Sequence, residues 1–207
     1  MKKQIVIFLV FALIIIACSG LSAPTEVHIE QTQVEEAATM AQGSSEQPVE
    51  STAIPNNSGI EGVQTYPDRK EYHAHVDLIK EPEGNLPPVF GEHFSAWQNC
   101  GIYEEPVNPG NALHSIEHGA VWLSYRPDLD QGKVRSLQNL VRGHGYVLVT
   151  PYIKQVSDVV LTAWGVQLVI DSFPDDRIAK FISYYEEGPQ NPEPGAPCSG
   201  AIGNPLP

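Results

Sequence analysis

The 207-residue chain carries 25 acidic against 12 basic residues, a formal net charge of −13. No basic patch is left to neutralise a phosphate backbone, which excludes nucleic acid as a partner and gives anionic lipid nothing to bind by charge. Removal of an export signal that holds Lys2 and Lys3 makes the mature chain more acidic still.

The N-terminus, "MKKQIVIFLVFALIIIACSG", places two lysines before an unbroken apolar run from Ile5 to Ala17, the layout of a signal peptide over residues 1–17. The run falls short of the about 20 apolar residues of a spanning helix. Ile15-Ile16-Ala17-Cys18 resembles a bacterial lipobox and predicts acylation of Cys18, which anchors the mature chain on the extracytoplasmic face of the cell membrane. An uncleaved N-terminal anchor is the alternative, because Ile16 is bulky for its position.

With Cys18 lipidated, Cys100 and Cys198 remain as a pair in an oxidising compartment, and a disulfide between them is expected. Closing a loop of about 100 residues contributes roughly 4 to 5 kcal/mol on the chain-entropy argument. The other possibility is two free thiols acting as soft metal ligands, although neither cysteine sits in a CxxC spacing.

Residues 18–65 are rich in Glu, Gln, Ser, Thr and Pro and show no sustained hydrophobic period. Such a segment buries too little apolar surface to offset its ordering entropy, so it reads as an acidic disordered tether. A single folded domain over residues 66–200 and a tail at 201–207 complete the organisation.

Within that domain "YHAHVDLI" alternates and predicts a first strand, on which His73 and His75 share a face. A long Gly- and Pro-interrupted loop follows, holding His93, Phe94 and Trp97; loops of that length inside a compact domain are usually functional. Phe94 and Trp97 are candidates to line a pocket over His93. "GAVWLSY" suits a central strand covered on both faces.

A helix around Lys133 to Arg142 then carries Val134, Leu137, Leu140 and Val141 on one stripe, with Gly143 as its stop and His144 as a cap at the negative dipole end. "YVLVTPY" completes a parallel strand, helix, strand unit. "VVLTAWGVQLVI" is another strand or a bent pair, with Gly165 as a bulge. "PDDRIAKFISYYEE" is a final helix with Pro174 in its first turn and Ile178, Phe181, Ile182 and Tyr185 on its buried face. The fold class is therefore α/β: one layered domain, a mixed sheet of four or five strands and two main helices.

Five of the seven histidines fall between residues 73 and 118. His114-Ser-Ile-Glu117-His118 matches HxxEH, which on a long helix builds the zinc site of inverse zincins with the glutamate as general base. Here Gly119 and "AVWLSY" turn the chain into a strand directly after His118. A fully extended segment would hold the two rings about 13 Å apart, and one helical turn would bring them together. Imidazole suits Zn, Cu, Fe and Ni. A methionine-lined Cu(I) site is excluded, since the mature chain retains only Met40, in the tether. In the bland alternative the histidines hydrogen-bond backbone carbonyls, and Glu117 pairs with Arg126 or Arg142. No GxSxG is present, and Ser115 lies on no nucleophile elbow.

"PPVFGEH", "NCGIY", "HSIEHGAVWLSY", "VTPY", "TAWG" and "PEPGAPC", in this order, resemble the bacterial family known as domain of unknown function 3105, found in secreted proteins and lipoproteins. The likeness runs from His73 to Cys198. It implies an outward-facing domain with paired cysteines and picks out His93, His114, Glu117 and His118; it brings no established reaction. One departure is Phe90, where a small hydroxylic residue is expected, which puts a hydroxyl partner for His93 in doubt.

The leading expectation is a lipid-anchored domain that binds a transition metal, copper or zinc, through His93, His114 and His118, with Glu117 as orienting residue or fourth ligand. Its role is capture or handover, with a metal-donor or acceptor protein as partner and no catalysis. A cell-envelope structural or binding module without metal is the alternative, and a metal-dependent hydrolase the third.

Overall fold

A computed structural model describes residues 56–68 and 70–207. The signal peptide, the Cys18 lipidation site and most of the tether expected above lie outside the described residues. Among the described residues no helix is long and apolar enough to cross a membrane.

Among the described residues six strands form one mixed sheet in the order β1-β6-β5-β3-β4-β2. They are β1 (Gln64–Thr65), β2 (Gly101–Ile102), β3 (Val121–Tyr125), β4 (Val147–Pro151), β5 (Val159–Ala163) and β6 (Val166–Ile170). Three α-helices accompany them among the described residues: α1 (Pro109–Glu117), α2 (Gln131–Leu140) and α3 (Arg177–Tyr185). The α/β class is as expected; the sheet has one strand more than the upper expectation, and α1 is an additional helix. Its signals are Asn108, whose side chain accepts from Gly110 N, and Pro109 in the first turn, where a missing N–H costs nothing. In the sequence this Asn-Pro-Gly run reads as loop.

β3 is central, buried at every residue, parallel to β4 through α2 and antiparallel to β5. β5 and β6 form an antiparallel hairpin closed by Trp164 and Gly165. Gly165 therefore supplies the turn, with φ +65°, and is not a bulge. Pro174 lies ahead of α3 and not in its first turn, since the helix begins at Arg177 with Asp176 at the N-cap position and no side-chain cap hydrogen bond. "YHAHVDLI" is not a strand: residues 70–73 form a 3₁₀ turn, and His75 makes a single parallel bridge to His93. The prolines at 82, 87 and 88 keep the chain beyond it irregular. His144 does not cap α2 with its ring; Nδ1 bonds Glu186 Oε2 at 2.5 Å.

The two sheet faces differ in chemistry. Val121, Leu123, Val149, Leu161 and Leu168 pack beneath Val134 and Leu137 of α2 and Ile178, Phe181 and Ile182 of α3 in an aliphatic core. The opposite face sets Trp122, Leu148 and Trp164 against Ala112, Leu113 and Ile116 of α1. It also buries Ser124, Thr150, Thr162 and Gln167, with Trp122 Nε1 donating to Thr150 Oγ1 at 2.9 Å and Gln167 Nε2 to Thr162 Oγ1 at 3.0 Å.

The packed structure extends past both expected edges, since β1 precedes residue 66, and Ile202 and Leu206 bridge Gln98 and Ile102. Cys100 and Cys198 are joined in a disulfide that ties the C-terminal strap to the start of β2.

Candidate metal centre

The HxxEH segment occupies the last turns of α1, with His118 as its C-cap. Gly119, at φ +101°, then reverses the chain into β3. A side chain there would meet Asn191 Nδ2 at 2.5 Å and Glu187 Cα at 3.2 Å, so glycine suits both the left-handed turn and the close approach of the segment after α3. One turn of helix brings the His114 and His118 rings to 4.5 Å between centroids.

Backbone carbonyls fix all three expected histidines. Gly91 O lies 2.8 Å from Nδ1 of His93, Phe94 O lies 2.6 Å from Nδ1 of His114, and Pro197 O lies 2.7 Å from Nδ1 of His118. A carbonyl only accepts, so each Nδ1 carries a proton, and in the neutral ring Nε2 is the atom left with a lone pair, the arrangement that orients metal-ligating imidazoles. The partner that Phe90 cannot offer His93 is thus the main chain of Gly91, and Phe90 stacks on Tyr72 instead, at 4.2 Å between centroids.

The nitrogens and oxygens converge in two overlapping groups. His75, His93, His114 and Glu117 each place one ligand atom within 4.8 Å of the others; His114, His118 and Glu193 do the same. Of the four expected residues, His93, His114 and Glu117 thus stand together, while His118 belongs to the neighbouring group and shares only His114 with them. His93, His114, Glu117 and His118 are all buried, at 3% exposure or less, whereas His75 is exposed.

Glu117 is the electrostatic pivot. Its Oε1 accepts from His73 Nδ1 at 2.6 Å, and its Oε2 lies 2.7 Å from His93 Nε2. That second contact lacks hydrogen-bond alignment: both atoms are buried without a hydrogen-bond partner. Burial alone would raise the Glu117 pKa, but the His93 and His73 rings hold it below the usual carboxylate range. Burial likewise opposes protonation of His73, and the Glu117 and Asp68 carboxylates outweigh it, so its pKa is raised. The His93 pKa is also raised, the Glu117 carboxylate and the Gly91 carbonyl overcoming burial. His114 behaves oppositely: burial, together with the neighbouring imidazoles, lowers its pKa to about 4. At neutral pH its ring is uncharged.

Arg126 and Arg142 do not meet Glu117; Arg126 pairs with Asp158 and Asp128, and Arg142 Nε donates to Asn139 Oδ1. Trp97 covers His118 and His114 rather than His93, at 4.9 and 5.8 Å between centroids. It is Trp164, from the hairpin turn, that meets His73 and His93, at 4.8 and 6.0 Å. His73, His75, Glu193 and Trp164 are the neighbours that the sequence did not assign. Two of them had a signal in the spacing of His73 and His75; the other two come from segments remote in the chain.

These features define a mixed α/β domain with a buried histidine and carboxylate cluster on one face of its sheet. The chain belongs to the family described as "Protein of unknown function (DUF3105)", whose model matches residues 84–200, more than half of the 207 residues. No curated protein and no solved structure matches the chain.

Proposed function

We propose that this is a lipid-anchored, extracytoplasmic domain that binds one transition-metal ion, copper or zinc, for capture or handover to another protein. His93, His114 and Glu117, joined by His75, would hold the ion. The observation that carries this reading is the buried pair His93 Nε2 and Glu117 Oε2, 2.7 Å apart and without hydrogen-bond partners. At that distance the two atoms need a proton or a metal ion between them, and burying either unsatisfied costs about 1–3 kcal/mol. Three imidazoles and one carboxylate match the donor preferences of Zn(II) and Cu(II).

Isothermal titration of the full chain with Zn(II), Cu(II) and Cu(I) tests it. One equivalent of Zn(II) or Cu(II) is expected, abolished by His93→Ala; absence of uptake of any of the three overturns the reading.

A metal-free envelope module is the second reading, and His73 favours it. Its ring bridges Asp68 and Glu117 at 3.0 and 2.6 Å, giving Glu117 a cationic partner of its own. A hydrolase is supported least, because α1 has only nine residues and Glu117 is tied to His73 rather than aimed at open solvent.

A further inference from the structure

The two ligand groups share His114, and that residue has one lone pair to give. Its Nδ1 donates to Phe94 O at 2.6 Å, so Nε2 can coordinate in one group or in the other but not in both. We infer that the groups are two positions of a single ion: an inner one with His75, His93 and Glu117, and an outer one with His118 and Glu193, through which the ion enters and leaves by exchange at His114. The inference rests on the metal-binding reading above.

Burial of the two carboxylates sets the direction, even though His75 of the inner group is itself exposed. The Glu117 side chain is 2% exposed and that of Glu193 49%, so the outer carboxylate meets solvent and the inner one does not. Glu193 Oε2 lies 3.4 Å from His118 Nε2, close enough for both to reach one ion after a small adjustment. The strap that carries Glu193 is built against the C-cap of α1 and the residue ahead of β4: His118 Nδ1 donates to Pro197 O at 2.7 Å, Asn191 Nδ2 to His118 O at 3.3 Å and Tyr146 Oη to Ala196 O at 2.9 Å. The Cys100–Cys198 disulfide closes it one residue beyond Pro197. An outer position with three protein ligands leaves a place for an incoming donor ligand, the requirement for associative transfer.

The test is Zn(II) exchange in the full chain, with Glu193→Gln and Glu193→Ala compared against the parent. Uptake is followed by stopped flow and release by transfer to a chromophoric chelator. The expected result is one Zn(II) per chain, with both rates lowered on the order of tenfold, equivalent to about 1.4 kcal/mol in the barrier, and an unchanged Kd, because a kinetic way-station affects both directions equally. Two Zn(II) per chain, or one Zn(II) with rates unaltered in both variants, overturns the two-position inference and leaves the inner site standing. No Zn(II) or copper at all overturns both.

Discussion

His93 Nε2 and Glu117 Oε2 face each other at 2.7 Å inside the protein, and neither has a hydrogen-bond partner. Glu117→Gln keeps the shape and removes the charge. Metal affinity should fall by about 10–100-fold, and His73 loses its strongest acceptor. The metal-free protein should therefore also lose about 1–3 kcal/mol in urea unfolding. An unchanged Zn(II) isotherm for this variant would remove Glu117 from the coordination set.

His75 separates ligation from architecture, because it is the exposed member of the inner group. Replacing it with alanine should leave the metal-free stability within about 0.5 kcal/mol of the parent while weakening Zn(II) at least about tenfold. In the parent, Zn(II) at 100 times Kd should add about 2.7 kcal/mol of stability. Melting curves with and without Zn(II) read both effects at once.

The disulfide contributes through a long closed loop. The sequence separation is 98 residues, so replacing Cys100 and Cys198 together with serine should cost about 4 kcal/mol, seen as a lower urea midpoint. The strap that supports His118 and Glu193 should then exchange its amide protons faster than β3 or β4, which hydrogen exchange with peptide resolution detects.

Asp158 governs acid stability on the far side of the sheet. Burial works against its charge, yet Lys133 Nζ, the Phe173 amide and Arg126 Nε lower its pKa to about 2. Folded pKa lies below the ordinary value of 3.8, so the stabilisation is fully present above that value and disappears as pH falls from about 4 towards 2. Asp158→Asn should destabilise the protein at pH 7 by about 2 kcal/mol and flatten stability against pH within that window, as urea melts from pH 5 to 2 would show.

The zincin-like motif shows how far local reading reaches. Helical spacing correctly allows His114 and His118 to approach, and the glycine after them correctly announces a strand. Yet the rings diverge in use: His114 turns to the loop partner His93, His118 to the strap residue Glu193. Periodicity describes which residues share a face of one element, and says nothing about which distant segment lies over that face.

What the sequence determined by itself is the α/β class, the central buried strand, the β3-α2-β4 unit, the cysteine pair and the buried face of α3, because each follows from hydrophobic period, turn chemistry or pairing within a segment. Only the tertiary structure decided that His75 joins His93 and His114, that Glu117 sits between His73 and His93, and that Glu193 arrives beside His118. Those partners are 18 to 75 residues apart in the chain and meet because the loop and the disulfide-closed strap fold onto the α1 face. Contacts of that kind are set by packing of the whole domain, which no local pattern encodes.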